Sequence, residues 1–249
     1  LACEAADPHI ILANRQRLPT LDALCRDGSC GIVDSLPRAS EVWATYYTGL
    51  PPEVHGVQAR SPAQSGEPAD LTRVKADLFL WDWLGRWGLS VGFVEPPHTF
   101  PAPRIHGFFV SGAPRPPHRR TDRSVHPPEL RALIDREYGA SIPKPPTLKE
   151  LGVDRPFAGL SDEELNRILA GGYFGDLPER LRPHLEWYAD WVLRLYERWP
   201  TDVLWVHFRE ADIAGRFLMH EQPPCTLVQA YAELDRICGR LIERLRPES

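Results

Sequence analysis

Residues 202–208 read DVLWVHF, and this run limits the possible folds more than any other feature of the chain. It alternates too little for a strand with one face in water, so it fits a strand buried on both faces. A strand of that kind needs helices above and below it. VGFV from Val91 reads as a second strand, and helical patterns stand between and beyond the two. Alternation of strand and helix over most of the chain predicts a mainly parallel sheet covered on both faces. No repeat at a fixed period is visible, which argues against solenoids and propellers.

The remaining elements follow from spacing and punctuation. LACEA at the start reads as the tail of a strand. An amphipathic stretch over 8–27 is interrupted by Pro19, where the ring breaks or restarts a helix, and is stopped by Gly28. The short apolar run 31–33 predicts a buried strand, and 41–47 the helix that follows it. In DLFLWDWLGRWG, Leu80, Trp83, Leu84 and Trp87 recur at helical spacing, so Trp81, Trp83 and Trp87 are read as core and helix-packing residues. PPELRALIDREYG is a further helix, and SDEELNRILAGG another, with Ser161 and Glu164 spaced as a capping box. The longest pattern covers about 177–199, with Leu181, Leu185, Tyr188, Val192, Leu195 and Trp199 on one side. The last helix, about 227–245, repeats Leu234, Ile237, Leu241 and Leu245.

Composition excludes several classes of function. A net charge of −5 in 249 residues argues against a nucleic-acid-polymer binder, whose footprint is a basic excess. Small anionic substrates remain open if a metal supplies the positive charge. No apolar run approaches the roughly 18 residues that span a bilayer, and no charged-then-apolar signal segment opens the chain. The five cysteines include no CxxC pair, and an odd count cannot close completely into intramolecular disulfides. Free thiols in a reducing compartment are the plainer reading, which favours a cytoplasmic over a secreted protein. Proline, at 26 residues, exceeds the usual share of about 5% and clusters in the middle of the chain, which predicts a Pro-rich loop insertion at about 95–160 within a single domain.

Two segments carry a family resemblance. In DSLPRASEVWATYYTGLPPEVHGV, residues 34–57, a hydroxyl-bearing loop runs into a helix and then into Thr-Gly, two prolines and His-Gly. In VGFVEPPHTFPAPRIHGFFVSGAPRPP, a strand ends in a Pro-rich turn and returns through Gly-aromatic-x-Val-Ser-Gly. Ser40, Trp43, Thr48, Gly49, Pro52, His55 and Gly56 in the first, and Pro97, Thr99, Pro101, Gly107, Val110, Ser111 and Gly112 in the second, resemble the alkaline phosphatase superfamily. More narrowly, they resemble its type I phosphodiesterase/nucleotide pyrophosphatase branch. The resemblance implies a three-layer α/β/α fold and metal-dependent hydrolysis of phosphate esters or pyrophosphate bonds. It further implies two divalent metal ions, usually zinc, held by Asp and His ligands, and a small phosphorylated substrate.

Carried over residue by residue, the resemblance implies Ser40 as nucleophile, Glu4 and Asp212 as metal ligands, and Arg216 as a substrate-binding group. Glu4 stands in Glu-Ala-Ala-Asp-Pro, where the family usually has Asp-Gly-x-Asp-Pro. Counted back from Trp43, the nucleophile's place falls on Ala39 without a gap and on Ser40 with one loop residue deleted; Ser40 is taken, because Ala39 has no reactive group. In HFREADIAGRF, Asp212 matches a carboxylate ligand, and Arg216 occupies the place of the family's histidine. A guanidinium cannot ligate a metal but can hold a phosphate or carboxylate bidentately. The family's Asp-His-Gly segment and later histidine fall downstream of the last helix, so the chain is expected to be the N-terminal part of such a domain. Without the resemblance, Ser40 is a helix N-cap, Asp212 a turn cap and His55 a turn-ordering residue. Those departures keep a second reading open, a binding module that kept the scaffold and lost the chemistry. A sulfatase is disfavoured, because Ser40 is not set in a Cys/Ser-x-Pro-x-Arg segment.

Overall fold

A computed structural model of the protein describes residues 1–33, 39–57, 71, 74, 77–112, 122–141, 163, 174–219 and 225–245. The expected capping box at Ser161 and Glu164, the polar segment 58–70 and much of the Pro-rich middle lie outside them. The elements are β1 (Ala2–Cys3), α1 (Pro8–Ala13), α2 (Pro19–Asp27), α3 (Ala39–Thr48), α4 (Pro52–His55), α5 (Leu80–Arg86), β2 (Val91–Pro97), β3 (Gly107–Gly112), β4 (Val125–His126), α6 (Leu130–Ser141), α7 (Leu177–Arg198), β5 (Val203–Phe208), α8 (Glu210–Leu218) and α9 (Cys225–Leu245). The strands align in the order β1-β5-β2-β3-β4. This is the mostly parallel sheet with flanking helices that the alternating pattern predicts. No helix among the described residues is long and apolar enough to cross a membrane.

The chain divides into two compact units. The unit formed by Val33–Ala140 and Arg194–His207 holds the central ladder. Here β2 runs parallel to both neighbours, with Val91 opposite Gly107 on one side and Val203 on the other, and β4 closes the far side antiparallel to β3. The buried runs expected around Val91 and over 202–208 are therefore the two strands side by side at the middle of the sheet. Strands come this close because Gly107 has no side chain: at φ +127°, a Cβ there would stand 2.1 Å from the Val91 carbonyl oxygen.

Register also places Phe109, Phe93 and Trp205 in one row across β3, β2 and β5. Phe93 stacks on both neighbours, at 5.4 and 5.7 Å between ring centroids. Two helices cover this row. Trp81 of α5 meets Phe93 and Phe109 edge-on, and Tyr47 of α3 lies 5.4 Å from Trp81. Offset and edge-to-face contacts of this kind are worth about 0.5–1.5 kcal/mol per pair beyond the area they bury.

That row corrects one expectation. The helix at 80–86 forms, but it buries Trp81 and leaves Trp83 and Trp87 44% and 71% exposed. Period alone selects the stripe 80-83-84-87. The stripe that wins is set by the aromatic row Trp81 can reach, while the Arg86 guanidinium lies 5.5 Å over the Trp83 ring at the surface. A second correction concerns residues 31–33, expected as a buried strand: they are irregular, with Ile32 57% and Val33 87% exposed. Two apolar residues supply no ladder of their own, and a strand exists only where a neighbour accepts its backbone groups.

The other unit, Leu1–Ile32, Ser141–Leu193 and Phe208–Ser249, is held by helices. Along α7, Leu181, Leu185, Tyr188 and Val192 are buried, and Tyr188 meets Phe208 edge-on at 5.5 Å. On α9, Leu234, Ile237 and Leu241 are buried, as their spacing predicts. α2 begins at Pro19 after Leu18, a residue with no capping side chain, so its first amide groups need an acceptor from elsewhere. Asp235 of α9 supplies it: fully buried, its carboxylate accepts from Thr20 N–H at 3.0 Å and Leu21 N–H at 2.7 Å. Asp235→Ala is expected to destabilise the fold by about 2 kcal/mol, the worth of a charged cap plus the penalty for buried unpaired amides. The check is a lower denaturant midpoint at unchanged slope; an unchanged midpoint would show that water replaces the carboxylate.

Candidate active site

The motif segment 39–57 is a small self-supporting piece. Along α3, Trp43, Ala44 and Tyr47 are buried, and Tyr47 Oη donates to the Pro97 carbonyl at 3.1 Å, tying the first motif to the second. Thr48 Oγ1 donates to the Ala44 carbonyl at 2.8 Å, and its helix ends at Gly49, φ +67°; Gly56, φ +79°, ends α4 in the same left-handed way. Between them His55 is buried. Val57 N–H donates to its Nδ1 at 3.0 Å, which leaves the ring proton on Nε2, 3.0 Å from Thr45 Oγ1. His55 thus orders the turn.

The second motif is pinned by hydroxyls. Thr99 Oγ1 donates to the Pro96 carbonyl at 2.6 Å and lies 3.4 Å from Ser111 Oγ, both side chains buried. The motif residues Thr48, His55, Thr99 and Ser111 therefore bond to the backbone or to one another and shape the platform. The structure places Ser40 second in α3, in its first turn and inside the helix instead of at the capping position before it. Its side chain lies outside the described residues.

Glu4 and Asp212 both belong to the first-named helical unit's partner, the one that contains both chain ends. Glu4 follows β1 and donates its N–H to the Phe208 carbonyl at 2.8 Å, so it stands where β5 finishes. Its carboxylate has the Arg209 Nε at 3.7 Å. Ala5, the next residue, is held at φ +56°, a left-handed conformation that L side chains disfavour and that suits the glycine usual at this place in the family. Asp7 then caps α1, accepting from His9 N–H at 2.7 Å, with Pro8 as the first helical residue.

Asp212 sits in the first turn of α8, where the positive end of the helix favours a carboxylate. Its side chain is 14% exposed, and Arg216 one turn on reaches both oxygens through Nε, at 2.9 and 3.0 Å. The residue in the histidine's place thus engages the carboxylate it would have joined in holding a metal. Arg209 and Glu210 are neighbours of this site that spacing did not single out. Glu210 is buried, with Oε1 3.2 Å from His184 Nε2. The signal for both was their place directly after a buried strand, where reactive groups collect in α/β sheets.

As donors for a divalent cation, Glu4 and Asp212 fit in kind, since both are carboxylates that are mostly shielded from solvent. In number they fall short: among the described residues no three His, Cys, Asp or Glu side chains are grouped to hold an ion. They fit as part of a metal centre and do not make one alone. The arginine on Asp212 is a weak obstacle, because an exposed pair one turn apart on a helix is worth about 0.3–0.5 kcal/mol.

Two outcomes test this local structure. Ala5→Gly is expected to raise stability by about 0.5–1 kcal/mol, the strain relieved less the entropy glycine adds to the unfolded chain, read as a higher denaturant midpoint. Burial holds His55 below its ordinary value of 6.5. Above that value the ring is neutral in both states and its contribution is fully present. As pH falls through 6.5 toward the lower folded value, the unfolded chain takes the proton first and stability declines. Stability measured from pH 7.5 to 5.5 should fall more steeply in the wild type than in His55→Gln; parallel curves would remove His55 as a source.

A family model described as Type I phosphodiesterase / nucleotide pyrophosphatase matches residues 8–249. Comparisons with curated proteins and with solved structures each gave no match. A match over nearly the whole chain reaches far beyond the two motif segments and takes in both strand-end carboxylates' surroundings, so the chain belongs to the type I phosphodiesterase/nucleotide pyrophosphatase family.

Proposed function

We propose that the protein hydrolyses a phosphate ester or pyrophosphate bond of a small phosphorylated substrate, with Ser40 as the nucleophile. The observation that carries the reading is the family match over residues 8–249, with Ser40 in the first turn of the motif helix. In this mechanism Ser40 Oγ attacks phosphorus in line with the leaving group. The new O–P bond forms as the P–O bond to the leaving group breaks, giving a phosphoserine and releasing the alcohol or phosphate half. Water then attacks the phosphoserine, returning the serine hydroxyl and freeing the phosphate product. Arg216, with its guanidinium 64% exposed on α8, can release Asp212 and hold a phosphate oxygen pair. Glu4 and Asp212 would each contribute to one of two divalent ions, taken to be zinc, which lower the charge on the phosphoryl oxygens and favour the serine alkoxide.

A second reading, a binding module on the same scaffold, draws on one observation: Asp212 is engaged by Arg216 where a ligand histidine stands in the family. Ser40→Ala tests the first reading. Hydrolysis of a chromogenic phosphodiester or phosphomonoester should drop by about a thousandfold or more if Ser40 is the nucleophile. Activity at the wild-type level removes it from that role. Zinc content separates the readings, since two bound ions per chain exclude the binding module.

A further inference from the structure

Beyond the catalytic reading, and independent of it, the unit that holds the central ladder carries a basic groove between α6 and α7. Arg136, Ala132, Leu133 and Glu129 line one wall, and Arg194, Arg198 and Trp199 the other, around about 400 Å³. That is within the range of small-molecule sites. Three guanidiniums against the single Glu129 carboxylate leave a local charge of +2 (three minus one), in a chain whose net charge is −5. Among the described residues neither Arg136 nor Arg198 has a carboxylate within ion-pair distance, whereas Arg86 of the same unit pairs with Asp77 at 2.9 Å.

Helix electrostatics explain part of this cluster. Arg198 is in the last turn of α7, where the helix dipole favours a cation by about 0.3–1 kcal/mol. Arg194 one turn earlier repels it by a few tenths of a kcal/mol. Arg136 lies in the interior of α6, and no such compensation applies there. Trp199 is fixed as a wall: its ring is 6.5 Å from Phe108, and Arg198 lies 5.9 Å over its own face.

The groove is at the edge where the strands begin. Trp199 stands shortly before β5, and Phe108 is the second residue of β3, whose first residue is level with Val91 and Val203 across the ladder. Catalytic groups of α/β sheets gather at the opposite edge.

We propose that this groove is a second anion site that binds a small phosphomonoester dianion. A charge of −2 matches the local +2, guanidiniums take phosphate oxygens in pairs, and the volume leaves space for an organic group beside Trp199. The experiment is calorimetric titration of the full chain with adenosine monophosphate and, separately, with inorganic phosphate at 0.15 M salt. The expected result is a binding event whose affinity falls tenfold or more in the Arg136→Gln/Arg198→Gln double variant and is retained in Ser40→Ala. The double variant should keep the wild-type melting temperature and hydrolytic rate. Tighter binding of the nucleotide than of free phosphate supports the phosphomonoester; binding of free phosphate with equal strength overturns that assignment. Equal affinity of wild type and double variant for both probes, or no binding at this salt, overturns the site. Because binding is read in Ser40→Ala as well, failure of the groove and failure of the catalytic reading are distinguishable.

Discussion

The in-register parallel ladder of β2 with β3 and β5 is the constraint on which the central unit depends. Val91, Gly107 and Val203 start level, so the row Phe109, Phe93 and Trp205 forms of itself and defines the surface that α3 and α5 must cover. Trp43, Tyr47 and Trp81 are buried because that surface is aromatic and flat. A change of register by one residue would turn the row to the opposite face. The glycine at 107 is part of the same constraint, since a side chain there would meet the backbone of Val91.

The motif residues serve this scaffold more than they serve chemistry directly. Thr48, His55, Thr99 and Ser111 spend their polar atoms on turns and on each other, and Tyr47 joins the two segments through the Pro97 carbonyl. A catalytic hydroxyl needs a fixed position, and fixed positions in loops come from satisfied backbone groups. The other unit shows the same economy at a distance. Asp235, on the last helix, caps the second helix, so the two ends of the chain are joined by a buried carboxylate and two amides.

Around Glu4 and Asp212 the chain departs from its family in a physically connected way. Ala5 takes a left-handed conformation that glycine accepts at no cost, and an arginine stands on each carboxylate. The guanidiniums supply positive charge of the sign that a metal supplies in the family. They do so through side chains that are substantially exposed and whose pairs are correspondingly weak.

Membership of the family, the order of strands and helices, the buried middle strands and the buried stripes of α7 and α9 were legible in the sequence. They follow from local spacing, glycine and proline punctuation and motif order, which involve near neighbours in the chain. The bond from Asp235 to Thr20 and Leu21 was not legible, because it joins residues more than two hundred positions apart and leaves no periodic trace. Nor was the choice of Trp81 over Trp83 and Trp87 as the buried ring: period places a stripe on a helix, but only the opposing surface selects which stripe is covered. The arginine partners of Glu4 and Asp212 divide the same way. Arg216 was visible one turn from Asp212, while Arg209 reaches Glu4 only because β1 and β5 finish side by side. Sequence by itself determined the family and the elements, since these rest on local order. Tertiary structure decided the partners of each polar group, since these rest on which distant segments the sheet brings together.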